Sequence, residues 1–205
     1  VDVSVETIQG GGRDPLASRR ISEITGVNVV VGTGWYWANT HPVWVRKKSI
    51  DALADCMVRE IEEGISETGI KAGVIGEIGC NYPLHSEEER VLRAAARAHA
   101  RTGAGLTVHP GIYDHVNRTK VEEAEKYLDI LEEEGVDMNR FYLSHACHTC
   151  LNLQYHRRLL DRGVTLSYDN FGMDYYSASY WPGAGTPSDR QRLDAIVELC
   201  SQGYD

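Results

Sequence analysis

Three short apolar runs in this chain each end in a residue able to bind a metal: Val74-Ile75-Gly76-Glu77, Leu106-Thr107-Val108-His109 and Tyr142-Leu143-Ser144-His145. A buried parallel strand presents its last side chain at the mouth of a sheet or barrel. Three successive strands of this kind place one carboxylate and two imidazoles around one point. Neutral imidazole and carboxylate are the ordinary ligands of hydrolytic zinc, and a site with an open position leaves room for a water to be activated. The chemistry to expect is metal-assisted hydrolysis.

Each residue also has a simpler reading. Glu77, between Gly76 and Ile78, is costly to bury unless it is coordinated or paired, and a salt bridge to an arginine would pair it equally well. A lone histidine at a strand end is commonly a hydrogen-bonded core residue, but His109 and His145 on neighbouring strands beside Glu77 point to a metal. Asp169, in Ser167-Tyr168-Asp169-Asn170, suits orienting a ligand or binding substrate, or capping the next loop. His148, three residues after His145, suits a proton shuttle or a solvated loop. The candidate metal ligands are therefore Glu77, His109 and His145, and the candidate catalytic residues are Asp169 and His148. His41, His85, His99, His115 and His156 read as structural or solvated. The aromatic clusters Trp35-Tyr36-Trp37 and Tyr175, Tyr176, Tyr180 and Trp181 either wall a pocket on the same face or pack between loops.

Strand-like and helical runs alternate along the whole chain and must position these groups. Val1 to Val5 is extended, and Asp14-Pro15 opens a helix to about Thr25. Val27 to Val31 reads as a strand buried on both faces. A long helix from about Ser49 to Thr68 carries Leu53, Ala54, Met57, Ile61 and Ile65 at helical spacing. Ala72 to Ile78 is the third strand. Ser86 with Glu89 fits a capping box for a helix to Thr102. Gly105 to His109, Arg140 to Ser144 and Val164 to Tyr168 are further strands. Helices at about Thr119 to Glu134, Leu153 to Arg162 and Ser188 to Ser201 complete the series. Six β-then-α units require a parallel sheet with right-handed crossovers, as an open doubly wound sheet or a (β/α) barrel. Chemical side chains recurring after several strands favour the barrel, of which six of eight units are present.

The 205 residues, 42% hydrophobic and 25% charged, read as one partial domain spanning residues 1–205. A net charge of -9 with no basic cluster beyond Arg46-Lys47-Lys48 argues against nucleic acid. No apolar stretch approaches the roughly 20 residues that span a bilayer, and no signal peptide is visible, so the expected setting is cytoplasmic. Five scattered cysteines make a poor disulfide framework, and Cys147-His148-Thr149-Cys150 reads as two ordinary thiols near a strand end.

The segments VIGEIGCNYPL, RAAARAHARTGAGLTVHPG, ILEEEGVDMNRFYLSHA and LLDRGVTLSYDNFG resemble the phosphotriesterase family of the amidohydrolase superfamily, and most of all its phosphotriesterase-related branch, which includes lactonase-like members. The resemblance runs across the chain as strands two to seven of a TIM-type barrel. It implies two divalent metals, commonly zinc, with Mn, Co or Fe as alternatives, bridged by hydroxide and a carboxylate at the position of Glu77. His109 and His145 match ligands of the second metal, and Asp169 an acidic position ending strand seven. His148 stands where many members carry an acid, so their proton relay does not transfer intact. The HxH pair of the family's first strand does not occur, and its eighth-strand aspartate would lie beyond Asp205; the chain reads as a fragment of a longer protein.

The resemblance implies a hydrolase in which a metal-bound hydroxide attacks a phosphoester, lactone or amide of a small-molecule substrate, in a homodimer. The alternatives are a non-catalytic small-molecule-binding barrel and an inactive truncated fragment.

Overall fold

The computed structural model describes residues 2–5, 8–9, 11–111, 124–173 and 187–204. Among them six parallel strands pair in chain order: β1 (Asp2–Val5), β2 (Asn28–Thr33), β3 (Val74–Cys80), β4 (Gly105–Pro110), β5 (Phe141–Leu143) and β6 (Thr165–Leu166). Between and after them lie α1 (Pro15–Thr25), α2 (Ile50–Glu62), α3 (Ser86–Thr102), α4 (Ala124–Glu133), α5 (Leu153–Asp161) and α6 (Asp189–Ser201). Nearest-neighbour pairing of parallel strands, each connection passing through a helix, is the strand order of a (β/α) barrel rather than of a doubly wound sheet. No described helix is long and apolar enough to cross a membrane.

Local chemistry sets the element ends. The Asp14 side chain accepts the Ala17 N–H, Pro15 occupies the first helical position, and Gly26 at φ 72° closes α1. The Ser188 hydroxyl and the Gln191 side chain reciprocally cap α6. In α3 the cap falls one residue earlier than Ser86 with Glu89: His85 is the N-cap, and the Glu88 carboxylate reaches back to the His85 N–H. The α2 helix stops at Glu62, short of Thr68, because Gly64 (φ +128°) and Ser66 (φ 50°) turn the chain so that the Ile65 N–H pairs with the Ile70 carbonyl. Ile65 is still buried, on Val31 and Ala72.

The core lies between the sheet and the helices over it. Ile75, Ile78, Leu106 and Val108 from β3 and β4 meet Leu53 and Met57 of α2 and an alanine-rich face of α3, all shielded from solvent. The small α3 side chains allow close approach to the sheet. On its outer side Arg97 bonds to Asp51 and Glu134, and Arg101 to Asp55, tying α3 to its neighbours. Two strands differ from expectation. The first half of β2 is not buried on both faces, since Asn28 and Val30 are exposed and the covering layer begins at Val31. The sixth strand pairs only over Thr165–Leu166.

The β3–β4 register shifts between Ile75 and Ile78, so Gly76 and Glu77 form a bulge. Gly76 holds φ +126°, and a Cβ there would overlap the Thr107 methyl and carbonyl oxygen. We expect Gly76→Ala to cost at least about 2 kcal/mol, from left-handed strain plus overlap with a neighbouring backbone. A wild-type denaturant midpoint in that variant would contradict this account of the bulge.

Candidate metal centre

The bulge turns Glu77, the one half-buried residue of an otherwise buried strand, toward the strand ends. His109 comes from the end of β4. His145 follows β5 in the left-handed region at φ 58°, a conformation uncommon for a residue with a Cβ. The Glu77 Oε2 to His109 Nδ1 distance is 3.2 Å, Glu77 Oε1 to His145 Nε2 is 3.3 Å, and His109 Nδ1 to His145 Nε2 is 3.0 Å. The two oxygens of one carboxylate thus each face one imidazole nitrogen, and the two nitrogens face each other.

The outer nitrogen of each ring is engaged. His109 Nε2 lies 2.9 Å from the Tyr36 hydroxyl, and His145 Nδ1 lies 2.8 Å from Asp169 Oδ1. Asp169 Oδ2 also accepts the His145 backbone N–H at 3.1 Å and the Ser167 hydroxyl at 3.0 Å. Without a cation the His109 Nδ1–H donates to Glu77; with the hydrogen on each outer nitrogen instead, both inner lone pairs would face a bound cation. This carboxylate–histidine pairing is the one that holds metal-binding imidazoles in their useful tautomer. Burial pushes the Glu77 carboxyl up, but hydrogen bonds from His109 and Ser144 and the nearby imidazoles bring it below its ordinary value. Asp169 behaves alike, with burial outweighed by His145 and Ser167. The Tyr36 hydroxyl is pushed up, first by burial and then by the Glu77 charge, so it remains a protonated phenol.

The donor set fits a small divalent cation. Tetrahedral zinc with bonds of about 2.05 Å separates its ligand atoms by roughly 3.3 Å; the two imidazole nitrogens lie 3.0 Å apart, and each has one Glu77 oxygen at 3.2 to 3.3 Å. Among the described residues this is the one group of three or more such side chains with all ligand atoms within 4.8 Å.

Of the residues singled out in the sequence, the fold brings Glu77, His109 and His145 together and sets Asp169 behind His145. His148 stands apart, its ring centre 6.3 Å from that of His145 and its Nε2 on the Asn170 side chain. All three imidazoles face a cavity of about 600 Å³, which Tyr36, Trp37 and Tyr82 also line. Trp35 turns away into the core and stacks edge-on against Trp44. Tyr175, Tyr176, Tyr180, Trp181 and His115 lie outside the described residues. Sequence reasoning missed Asn81, Tyr82 and Asn170 in the cavity wall, although each directly follows a strand-end motif. His156, read as structural or solvated, is structural: it is buried and joins Thr149 to Tyr168, bracing the turn after His145 against the residue before Asp169.

The phosphotriesterase family model matches residues 1–205. The chain belongs to the phosphotriesterase family. A phosphotriesterase-related protein of Nematostella vectensis is 38% identical over 202 residues, covering 97% of this chain and 55% of that protein. An N-acetyltaurine hydrolase of Dictyostelium discoideum is 33% identical over 198 residues, covering 97% of this chain and 52% of the relative. The crystal structure of a resiniferatoxin-binding protein from Rhodobacter sphaeroides superposes with a TM-score of 0.89 at 39% identity, covering 99% of this chain and 54% of that one. The chain thus spans about half the length of the relatives it matches. Phosphotriesterase-family proteins are metal-dependent TIM barrels, in keeping with the strand order and the donor set.

Two predictions follow from this geometry. Asp169→Asn should weaken zinc binding by about 10- to 100-fold, the usual effect of removing such an orienting carboxylate; competition against a chromogenic chelator measures it, and unchanged affinity would separate Asp169 from the site. Burial lowers the His156 pKa from 6.5 to about 4. Between those values the unfolded chain binds a proton that the native chain does not, so stability falls as pH drops from 6.5 toward 4, by up to about 3 kcal/mol. Subtracting the pH–stability curve of His156→Gln from that of the wild type should isolate this slope, and coincident slopes would refute it.

Proposed function

We propose that the protein containing this chain is a metal-dependent hydrolase with its reacting centre at Glu77, His109 and His145. The cluster of ligand atoms with both outer imidazole nitrogens engaged is the observation that carries this reading. Zinc is the cation favoured by the donor set, with Mn, Co and Fe as alternatives. The family resemblance supports a second cation in the complete protein. Lewis acidity, lowering the pKa of water and polarising the oxygen of the scissile group, is what a divalent cation supplies when bound.

The chain's own residues do the rest. Tyr36 and Asp169 keep the His109 and His145 lone pairs directed inward. Trp37 and Tyr82 wall the approach. His148, which lines the cavity beside Asn170, would take or give a proton at its imidazole as a leaving group departs. Of the phosphoester, lactone and amide chemistries, amide cleavage is favoured by the relatives named N-acetyltaurine hydrolase. The partner is then a small molecule, and a homodimer accords with the family resemblance. A cytoplasmic setting accords with five cysteines that are all free thiols.

A second reading is a binding barrel without turnover, favoured by the 39% identity to a resiniferatoxin-binding protein. Assaying the zinc-loaded complete protein on N-acetyltaurine, a phosphotriester and a lactone separates the two. We expect chelator-sensitive release of taurine and acetate, abolished by Glu77→Gln. Full zinc content with no turnover of any of the three substrates would favour the binding reading.

A further inference from the structure

Glu88 is fully buried in the first turn of α3, yet its neighbours behave ordinarily: Glu87 pairs with Arg90, and Glu89 with Arg93. Glu88 pairs with no arginine or lysine among the described residues. Its carboxylate takes four neutral donors instead. Oε1 accepts the Ala38 N–H at 2.9 Å and the Asn81 side-chain amide at 2.6 Å. Oε2 accepts the Asn81 N–H at 2.7 Å and the His85 N–H at 3.4 Å. Four donors and the positive end of a 17-residue helix offset the cost of burying the charge.

A helix cap requires only the His85 contact, which is the longest of the four. The three shorter bonds reach outside α3, to the turn after β2 and the turn after β3. Those turns carry Tyr36 and Trp37, and Asn81 and Tyr82, which wall the cavity. The first turn is also held from its own side: His41 Nε2–H donates to the Tyr36 carbonyl, the Thr40 hydroxyl to the Trp37 carbonyl, and Arg46 to the Ala38 carbonyl. The Tyr127 hydroxyl donates to the Asn81 carbonyl in the second. Glu88 joins to each other two turns that are each held by other bonds.

We propose that Glu88 is a positioning residue of the pocket, clamping the turn that bears Tyr36 and Trp37 to the turn that bears Asn81 and Tyr82. The inference rests on the reading of this cavity as the substrate site. Through the first turn it reaches the metal ligands, because the Tyr36 hydroxyl meets His109 Nε2. The task suits glutamate over glutamine. A carboxylate only accepts, whereas an amide would turn its own N–H groups toward two of the four donors.

The test is Glu88→Gln in this chain, beside Leu159→Ala, a core truncation in α5 far from both turns, with temperature chosen so that the two are equally destabilised. In Glu88→Gln the Ala38 and Asn81 amides should exchange about tenfold faster. The nuclear Overhauser contact between the Tyr36 and His109 rings, 4.8 Å apart in the wild type, should weaken. Zinc is supplied at saturation, because loosening Tyr36 from His109 would also weaken the hold on the metal. Leu159→Ala should show neither local effect. If Glu88→Gln lowers stability but keeps wild-type exchange at both amides and the wild-type ring contact, Glu88 is a helix cap alone and the proposal fails. These readouts need no turnover, so they stand apart from the hydrolase reading, which fails instead if the zinc-loaded wild-type complete protein turns over none of N-acetyltaurine, the phosphotriester and the lactone. Where the wild type does turn N-acetyltaurine over, Glu88→Gln should raise KM about tenfold at saturating zinc.

Discussion

Holding one carboxylate within 3.3 Å of two imidazoles drawn from different strands is the constraint around which this chain is organised. Ionised carboxylate is costly in a half-buried position unless positive charge or donors face it. Imidazole lone pairs pointing at a carboxylate are also unfavourable without something positive between them. The arrangement becomes favourable when a cation is shared by all three groups. That explains why the surrounding structure fixes the outer ring nitrogens so firmly: the fold must hold the inner lone pairs together against their own repulsion.

The sheet sets the coarse position, and backbone irregularities the fine one. Parallel register places the ends of β3, β4 and β5 side by side. The bulge at Gly76 and Glu77 then re-aims the carboxylate, and the left-handed conformation of His145 lets its backbone N–H and its ring both face Asp169. These irregularities occur beside the centre, whereas the strand residues behind them pair regularly and are mostly buried. The surrounding wall comes from loops, but loops pinned to the scaffold by buried polar groups such as Glu88, His41 and His156.

The chemistry was legible in the sequence wherever it depended on strand ends. Glu77, His109 and His145 each close an apolar run, and the alternation of runs and helices leads directly to a parallel barrel order. Asp14-Pro15 marked the start of α1 because capping is a local matter. What depended on contacts between distant segments was not legible. Nothing in GWYW distinguishes Tyr36, which reaches His109, from Trp35, which turns into the core. Three consecutive glutamates gave no sign that the middle one is buried, so the cap was read one residue late. The exposed half of β2 escaped notice because Val-rich strands look alike whether one face or both are covered. The end of α2 was missed because apolar spacing continues through Ile65 while the backbone has already turned at Gly64.

The central claim is that this donor set binds a cation. It is tested most directly by elemental mass spectrometry of the purified chain after dialysis against a weak chelator, alongside His109→Ala and His145→Ala. The account predicts about one equivalent of a divalent transition metal per wild-type chain and a large loss in either variant, as expected when one of three protein ligands is removed. Wild-type metal content in both variants, with each still folded, would contradict it.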